Sequence, residues 1–254
     1  MMERIEIGII GGTGGMGRWF ATFLKKEGYA VHVSGRKIGM DMEKMAKTCP
    51  VVIVSVPIGI TCEIIERIGP LMERESLLMD LTSLKEKPVK AMLESTNAEV
   101  IGLHPLFGPR VRSMSGQNIA LCPVRTEKWH RWVSELLKKG GARIIETTPE
   151  RHDEMMSLVQ GLTHLTTIIM GLILRDMGVD KTELDMFSTP VFRTKLAFIE
   201  KIFTDNPTLY GEIIAENPNI DRILESYQEN LMELKGILAG KKTKALIDLI
   251  GKKM

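Results

Sequence analysis

Seven short runs of apolar and β-branched residues punctuate the first part of the chain. They are Ile5–Ile10, Ala30–Ser34, Val51–Val56, Leu77–Leu81, Ala98–Leu103, Asn118–Cys122 and Ala142–Glu146. Several are continuously apolar rather than alternating, as strands covered on both faces are. Amphipathic stretches lie between them and read as crossover helices: Gly17–Glu27, Met40–Thr48, Cys62–Met72, Lys87–Leu93 and Glu127–Lys139. This alternation predicts an α/β fold, an N-terminal doubly wound parallel sheet of Rossmann type. After about Pro149 the strand pattern stops and helical periodicity runs to the end. The expected division is therefore a sheet domain over 1–149 and an all-helical domain over 150–254. Ser188-Thr189-Pro190, Asn206-Pro207 and Asn217-Pro218 each read as an N-cap followed by proline at the first helical position.

Composition narrows the class without naming a function. With 44% hydrophobic and 26% charged residues and a net charge of +2, the chain reads as a globular protein. Nothing in that balance calls for nucleic acid or an anionic membrane. Cys49, Cys62 and Cys122 have no CxxC spacing and are odd in number, so a reducing cytoplasm is expected. The N-terminus lacks the basic and apolar segments of a signal peptide. The most apolar stretch, Leu162–Leu174, is too short to span a bilayer and contains His164.

The first strand runs into Gly11-Gly12-Thr13-Gly14-Gly15-Met16-Gly17. Gly12, Gly14 and Gly17 satisfy GxGxxG between a strand and a helix. The three glycines permit a tight turn, close backbone approach to a pyrophosphate and helix–strand packing. The whole loop is expected to hold a dinucleotide, with Val56 at the end of the third strand, Pro57 after it and Ser83 past the fourth. The second strand ends in Ser34-Gly35-Arg36-Lys37, without the carboxylate that holds an NAD ribose. A hydroxyl and two cations suit a 2′-phosphate. NADP is favoured, with NAD kept open.

The five histidines differ in promise. His32, within a strand, and His130, on a charged helix, read as structural. His152 falls in Arg151-His152-Asp153-Glu154, which reads as a solvated helix start. No HExxH or comparable ligand spacing occurs, so the spacing predicts no metal site. His104 stands where the fifth strand ends, framed by Pro105 and by Gly108-Pro109. Ligands of open α/β sheets collect at that edge, which makes His104 a candidate proton acceptor. Asp80-Leu81-Thr82-Ser83-Leu84-Lys85 closes the fourth strand beside it. From Met155 to Leu174, His164 is the one readily charged residue. Leu158, Leu162, Leu165, Ile169 and Leu172 form one stripe, and Gln160, His164, Thr167 and Gly171 the opposite one. A helix with no charged face is expected to be buried all round, its second stripe lining a helix, a subunit interface or a site.

These residues together resemble the prephenate dehydrogenase family over essentially the whole chain. The resemblance rests on Gly11–Gly17, Asp80–Lys85, Gly102–Pro109, His152-Asp153-x-Met155-Met156, Gln160 with His164, and Ser188–Arg193. Phe203-x-x-x-Pro207-x-Leu209-Tyr210 adds to it. It implies NAD(P)-dependent oxidative decarboxylation of prephenate to 4-hydroxyphenylpyruvate and CO2 in tyrosine biosynthesis. It also implies a cytoplasmic homodimer joined through the helical domain. His104 matches the histidine that takes the proton of the ring hydroxyl, and Ser83 a hydroxyl partner near it. Lys85, Gln160, His164 and Tyr210 match substrate-binding positions. One departure stands out. Lys201 occupies the place of an arginine that binds the substrate side-chain carboxylate, and lysine lacks the planar bidentate fork. Arg193, nearer the helix start, is the alternative partner for that carboxylate.

Arogenate, which carries an amine where prephenate has a keto group, remains open as substrate. So do a β-hydroxyacid type of dehydrogenase and a non-catalytic NADP-sensing dimer. Within these 254 residues no room is expected for a fused catalytic or regulatory module, and a place in a longer fused enzyme stays open.

Overall fold

The computed structural model describes residues 5–36 and 38–251. Lys37, expected at the nucleotide phosphate, lies outside the described residues. All seven expected strands form: β1 (Glu6–Ile10), β2 (Ala30–Ser34), β3 (Val51–Val54), β4 (Leu77–Asp80), β5 (Glu99–Pro105), β6 (Asn118–Arg125) and β7 (Arg143–Glu146). They make one sheet in the order β2-β1-β3-β4-β5-β6-β7. The helices of this half are α1 (Gly15–Lys26), α2 (Met42–Thr48), α3 (Ile58–Ile68), α4 (Glu86–Ser95) and α5 (Trp129–Lys139). The third starts four residues earlier than expected. Pro57 is its N-cap, and the chain tightens into a 3₁₀ turn at Gly69–Leu71.

The sheet is mostly, not wholly, parallel. β5 and β6 pair antiparallel, and β7 follows β6 in parallel, so the last two strands run against the first five. The reason is the connection. Between β5 and β6 no helix forms, and a parallel return needs a crossover.

Burial alternates along the strands as a two-faced sheet requires. Ile7, Ile9, Val51, Ile53 and Leu103 pack with Phe20 and Leu24 of α1 and Val133 and Leu137 of α5. Ile10, Val52, Val54, Leu78 and Val100 face Met45, Ile65 and Met92 of α2 to α4 on the other side. Each fully buried side chain of this kind contributes roughly 1.5–3 kcal/mol.

The second half is helical: α6 (Pro149–Met156), α7 (Thr163–Asp176), α8 (Lys181–Phe187), α9 (Pro190–Glu200), α10 (Pro207–Ala215), α11 (Ile220–Ala239) and α12 (Thr243–Ile250). Thr189 and Asn206 cap α9 and α10 with proline at the first position, as the sequence predicts. Asn217-Pro218 behaves differently. α11 begins at Ile220, and Asn217, 2% exposed, donates its side-chain N–H to the Asp153 carbonyl at 3.0 Å.

A wide turn over Ser157–Leu162 joins α6 to α7, so Pro149–Asp176 is one continuous helix. By length and composition alone it is apolar enough to cross a membrane, longer than the Leu162–Leu174 core suggested. Its first turns, however, are bonded into the sheet domain through Asp153. Nor is it buried all round: Leu158, Val159 and Ile173 are about half exposed in the single chain.

The α5 N-terminus shows how the sheet supplies what a helix lacks. Its N-cap, Lys128, makes no side-chain cap. The Glu99 carboxylate, buried at the start of β5, accepts the N–H groups of Glu127, Lys128 and Trp129 at 2.8, 3.1 and 3.0 Å. Glu99→Ala leaves three N–H donors without it, that of Trp129 buried, and we expect a loss of roughly 2 kcal/mol. The urea midpoint measures it; an unchanged midpoint would contradict the capping role.

Candidate active site

The carboxyl ends of β4 and β5 lie side by side, with Asp80 paired to Gly102. His104 stands two residues past Gly102, still within β5, and is 3% exposed. Ser83, half-buried, sits in the loop that leaves β4. The strand end thus carries both the proposed base and its hydroxyl neighbour, as the sequence predicts.

His152 is the first departure. Far from a solvated helix start, it is 2% exposed, and its Nε2 lies 2.9 Å from His104 Nδ1. Its own Nδ1 lies 2.7 Å from Asp153 Oδ1. Asp153 is 1% exposed and also accepts the backbone N–H groups of Lys85 and Glu86 at 2.8 and 2.9 Å. It thereby caps α4, whose own N-cap makes no side-chain bond. The hydrogen-bond network assigns the tautomers. A carboxylate only accepts, so His152 donates from Nδ1, and in its uncharged form it accepts at Nε2. His104 must then donate from Nδ1, which leaves the lone pair on its Nε2. Among the described residues no group hydrogen-bonds that Nε2.

A signal for this pair was present. His152, Met156, Gln160 and His164 recur every four residues, and His152, Met156 and His164 are buried. Extending the polar stripe of α7 back by two turns reaches His152. Arg151 and Glu154, paired at 2.5 Å, lie on the outer side.

Lys85 corrects a second expectation. It is wholly buried, its ammonium donating to Asp80 Oδ2, which Thr82 Oγ1 also bonds. It cannot reach a substrate in the cleft. Gly102 makes its place: a Cβ there would lie 3.0 Å from Lys85 Cδ and 2.8 Å from Val89. Lys85 acts on His104 through its field. Burial, then His152, then Lys85 hold the His104 imidazole well below its ordinary pKa, so it is neutral.

In the helical half, His164 is buried with its ring 4.9 Å from Tyr210 and 5.8 Å from Phe198. Burial, helped by the charge of Lys201, lowers its pKa to about 4. His164 Nδ1 and Gln160 Oε1 are buried polar atoms without a protein partner, which marks a place prepared for a polar ligand. Lys201, exposed, lies with its ammonium 6.0 Å over the Phe198 ring. It lines a cavity of about 700 Å³ with Arg110, Phe198, Glu200, Thr204 and Asp205. Arg110 comes from the loop that follows His104 and pairs with Asp205 at 3.2 Å, joining that loop to the helical half. Sequence reasoning missed it. Arg193 is not brought to this cavity; it is exposed and donates to the Asp185 carbonyl at 3.4 Å.

The glycine loop fits a dinucleotide. Gly11 has φ +81°, and a Cβ on Gly12 or Gly17 would come within 2.7 Å of Val33 or 2.4 Å of the Gly11 carbonyl. Gly14 caps α1 without a side-chain bond, and the first turn holds no acidic residue, so its amides are open to a phosphate. Ser34 receives the N–H groups of Gly11 and Gly12 on its carbonyl, and Thr13 packs against Gly35. Arg36 is exposed beyond it. Val56 touches Gly11's open side, Pro57 caps α3, and the Met16 side chain turns instead to the hydrophobic core. Pro109 packs on Gly15, so the loop from His104 meets the nucleotide loop.

A family model described as the nucleotide-binding domain of prephenate dehydrogenase matches residues 37–146, beginning after the glycine loop. One described as its dimerization domain matches 148–252. A probable arogenate/prephenate dehydrogenase of Methanocaldococcus jannaschii is 38% identical, the match covering 97% of this chain and 59% of that one. The T-protein of Haemophilus influenzae is 36% identical over 89% of this chain and 61% of its own. The chain thus spans 59% and 61% of the lengths of these relatives. An Aquifex aeolicus prephenate dehydrogenase, solved with hydroxyphenyl propionate and NAD+, has the same fold. It gives a TM-score of 0.74 at 20% identity, over 98% of this chain and 96% of that one.

Two consequences are measurable. Lys85→Ala strands the Asp80 charge in the core and should cost about 3–5 kcal/mol; a folded variant whose only defect is a raised KM would restore Lys85 as a substrate contact. Acid should also destabilise the fold. Below about 6.5 the unfolded histidines take up protons that His104 and His164 refuse, the latter until about 4. The unfolded state then binds more protons, so stability falls with pH across that window. His164→Gln should flatten the slope of urea midpoint against pH; an unaltered slope would contradict it.

Proposed function

The chain belongs to the prephenate dehydrogenase family, and we propose on that premise that it oxidatively decarboxylates prephenate to 4-hydroxyphenylpyruvate and CO2, with NADP, in tyrosine biosynthesis. The observation that carries the reading is the buried chain Asp153–His152–His104 at the carboxyl edge of the sheet. It presents a neutral imidazole with its lone pair on Nε2, the form that accepts a hydroxyl proton.

Bound NADP supplies the hydride acceptor. The amides at the start of α1, with Gly12 and Gly14, hold its pyrophosphate, and Ser34 with Arg36 suits a 2′-phosphate. Ser83 hydrogen-bonds near the ring hydroxyl. His104 Nε2 would take the hydroxyl proton as the hydrogen on the same carbon leaves with its electron pair, as hydride, for the oxidised cofactor. The electron pair of the bond to the ring carboxylate passes into the ring as CO2 departs, and His104 returns its proton to the ring oxygen, so that the product is a phenol. The positive charge on His104 is spread toward His152 and the Asp153 carboxylate, which are already in place and need not reorganise.

Gln160, His164 and Tyr210 form the far wall. Kept neutral by burial, His164 serves as a hydrogen-bonding group rather than a cation. Lys201 holds the side-chain carboxylate in the cavity it shares with Arg110, whose own charge is paired with Asp205. A homodimer through the helical domain is part of the proposal. Met177, Met186, Phe187 and Val191 are each about 70% exposed or more in the single chain, an area of apolar surface that a second copy would cover. The three cysteines are free, which suits a cytoplasmic setting.

The test is an absorbance assay crossing prephenate and arogenate with NADP and NAD. Prephenate with NADP should give the highest kcat/KM. A preference for arogenate would overturn the substrate, and no turnover with any pair would overturn the enzyme reading. His104→Ala should lower kcat by roughly 10²–10⁴ with modest change in KM; turnover near the parent value would remove His104 from the reaction.

A further inference from the structure

We infer that Glu6, His32 and Cys49 form a zinc-binding site at the amino end of the sheet, away from the nucleotide edge. Glu6 opens β1, His32 lies on β2, and Cys49 is the C-cap of α2. Their donor atoms all lie within 4.8 Å of one another, and His32 Nε2 is 3.2 Å from Glu6 Oε2. In a tetrahedral zinc complex, N and O ligands at about 2.0–2.1 Å sit roughly 3.3 Å apart, and the sulfur edges are a little longer. The histidine–carboxylate edge already has that length. The cysteine edges need a contraction of at most about an ångström, within reach of side-chain rotation.

The surroundings fit a loaded metal better than an empty core. Gly8, beside His32 in the sheet, lets α2 pack close and brings Cys49 to this face: a Cβ there would collide with Met45 and lie 3.4 Å from Cys49 Sγ. One thiolate, one carboxylate and a neutral imidazole bring Zn²⁺ to zero net charge, which suits a half-buried site. Zinc binds the thiolate, so loading would release the Cys49 thiol proton. Cys49 is 1% exposed, whereas His32 and Glu6 side chains are 33% and 51% exposed. The metal thus has an approach from solvent and a fourth position for water. Three separate segments supply the ligands, which is why no spacing motif betrays them. A bound ion would tie β1, β2 and α2 together under the frame that carries the glycine loop.

Cobalt is the probe, since it takes zinc's geometry and reports thiolate ligation by colour. Titrating Co²⁺ into the reduced, metal-free full chain should produce a near-ultraviolet thiolate-to-cobalt band. The band should saturate at one ion per chain, vanish on adding Zn²⁺, and come with a raised Tm. Cys49→Ser should abolish it and Cys62→Ser should keep it. Glu6→Gln and His32→Ala, both at solvent-accessible side chains, should keep the fold by circular dichroism and weaken binding at least about tenfold. No thiolate band in the parent, or a band that survives Cys49→Ser, would overturn the site. None of these readouts depends on turnover, so they stand apart from the dehydrogenase assay.

Discussion

The Asp153 carboxylate is the joint on which the arrangement depends. A buried carboxylate is costly unless its oxygens are satisfied. Here they accept two backbone N–H groups at the start of α4 and the Nδ1–H of His152. The positive end of α4 adds to the same attraction. One side chain from the helical half therefore completes a helix of the sheet half and fixes an imidazole. Asn217 bonds the Asp153 carbonyl and ties α10 and α11 to the same point. Cleft geometry and domain attachment are consequently one problem, solved by one group.

Around that joint the sheet edge is kept polar but dry. Asp80 and Lys85 neutralise each other under the strand ends, where neither touches solvent. Gly102 gives up a side chain to make room for the lysine stem. Burial first, then His152 and Lys85, hold His104 neutral, and the lysine itself is sealed from solvent. The chemistry at the surface of the cleft is thus set from beneath it. The loop beyond His104 extends this logic, meeting the glycine loop through Pro109 and the helical half through Arg110.

The strands, the glycine loop and His104 were legible because each is a local pattern: apolar runs, GxGxxG after a strand, a histidine framed by prolines. The direction of β6 and β7 was half legible. No helical pattern lies between β5 and β6, and that gap is the physical cause of the reversal. His152 and Asp153 were misread because Arg151 and Glu154 beside them look solvated, while their burial depends on a helix start 68 residues earlier in the chain. Lys85 was misplaced for a related reason. A motif reports that a lysine is present, whereas its direction depends on Gly102 of the neighbouring strand. The incomplete burial of the apolar helix was not legible either, because an apolar composition reports that a face is fit to be covered and not what covers it.

Asp153 and His152 fix His104 with its proton on Nδ1 and its lone pair on Nε2. Nitrogen-15 NMR of the histidine rings near neutral pH tests this directly. The account predicts a protonated Nδ1 and a bare Nε2 for His104, and the same tautomer for His152. In Asp153→Asn, an amide that can donate should release His152 from that tautomer and let His104 sample both forms. A His104 ring protonated at Nε2 in the parent chain, or a tautomer indifferent to the loss of the carboxylate, would contradict it.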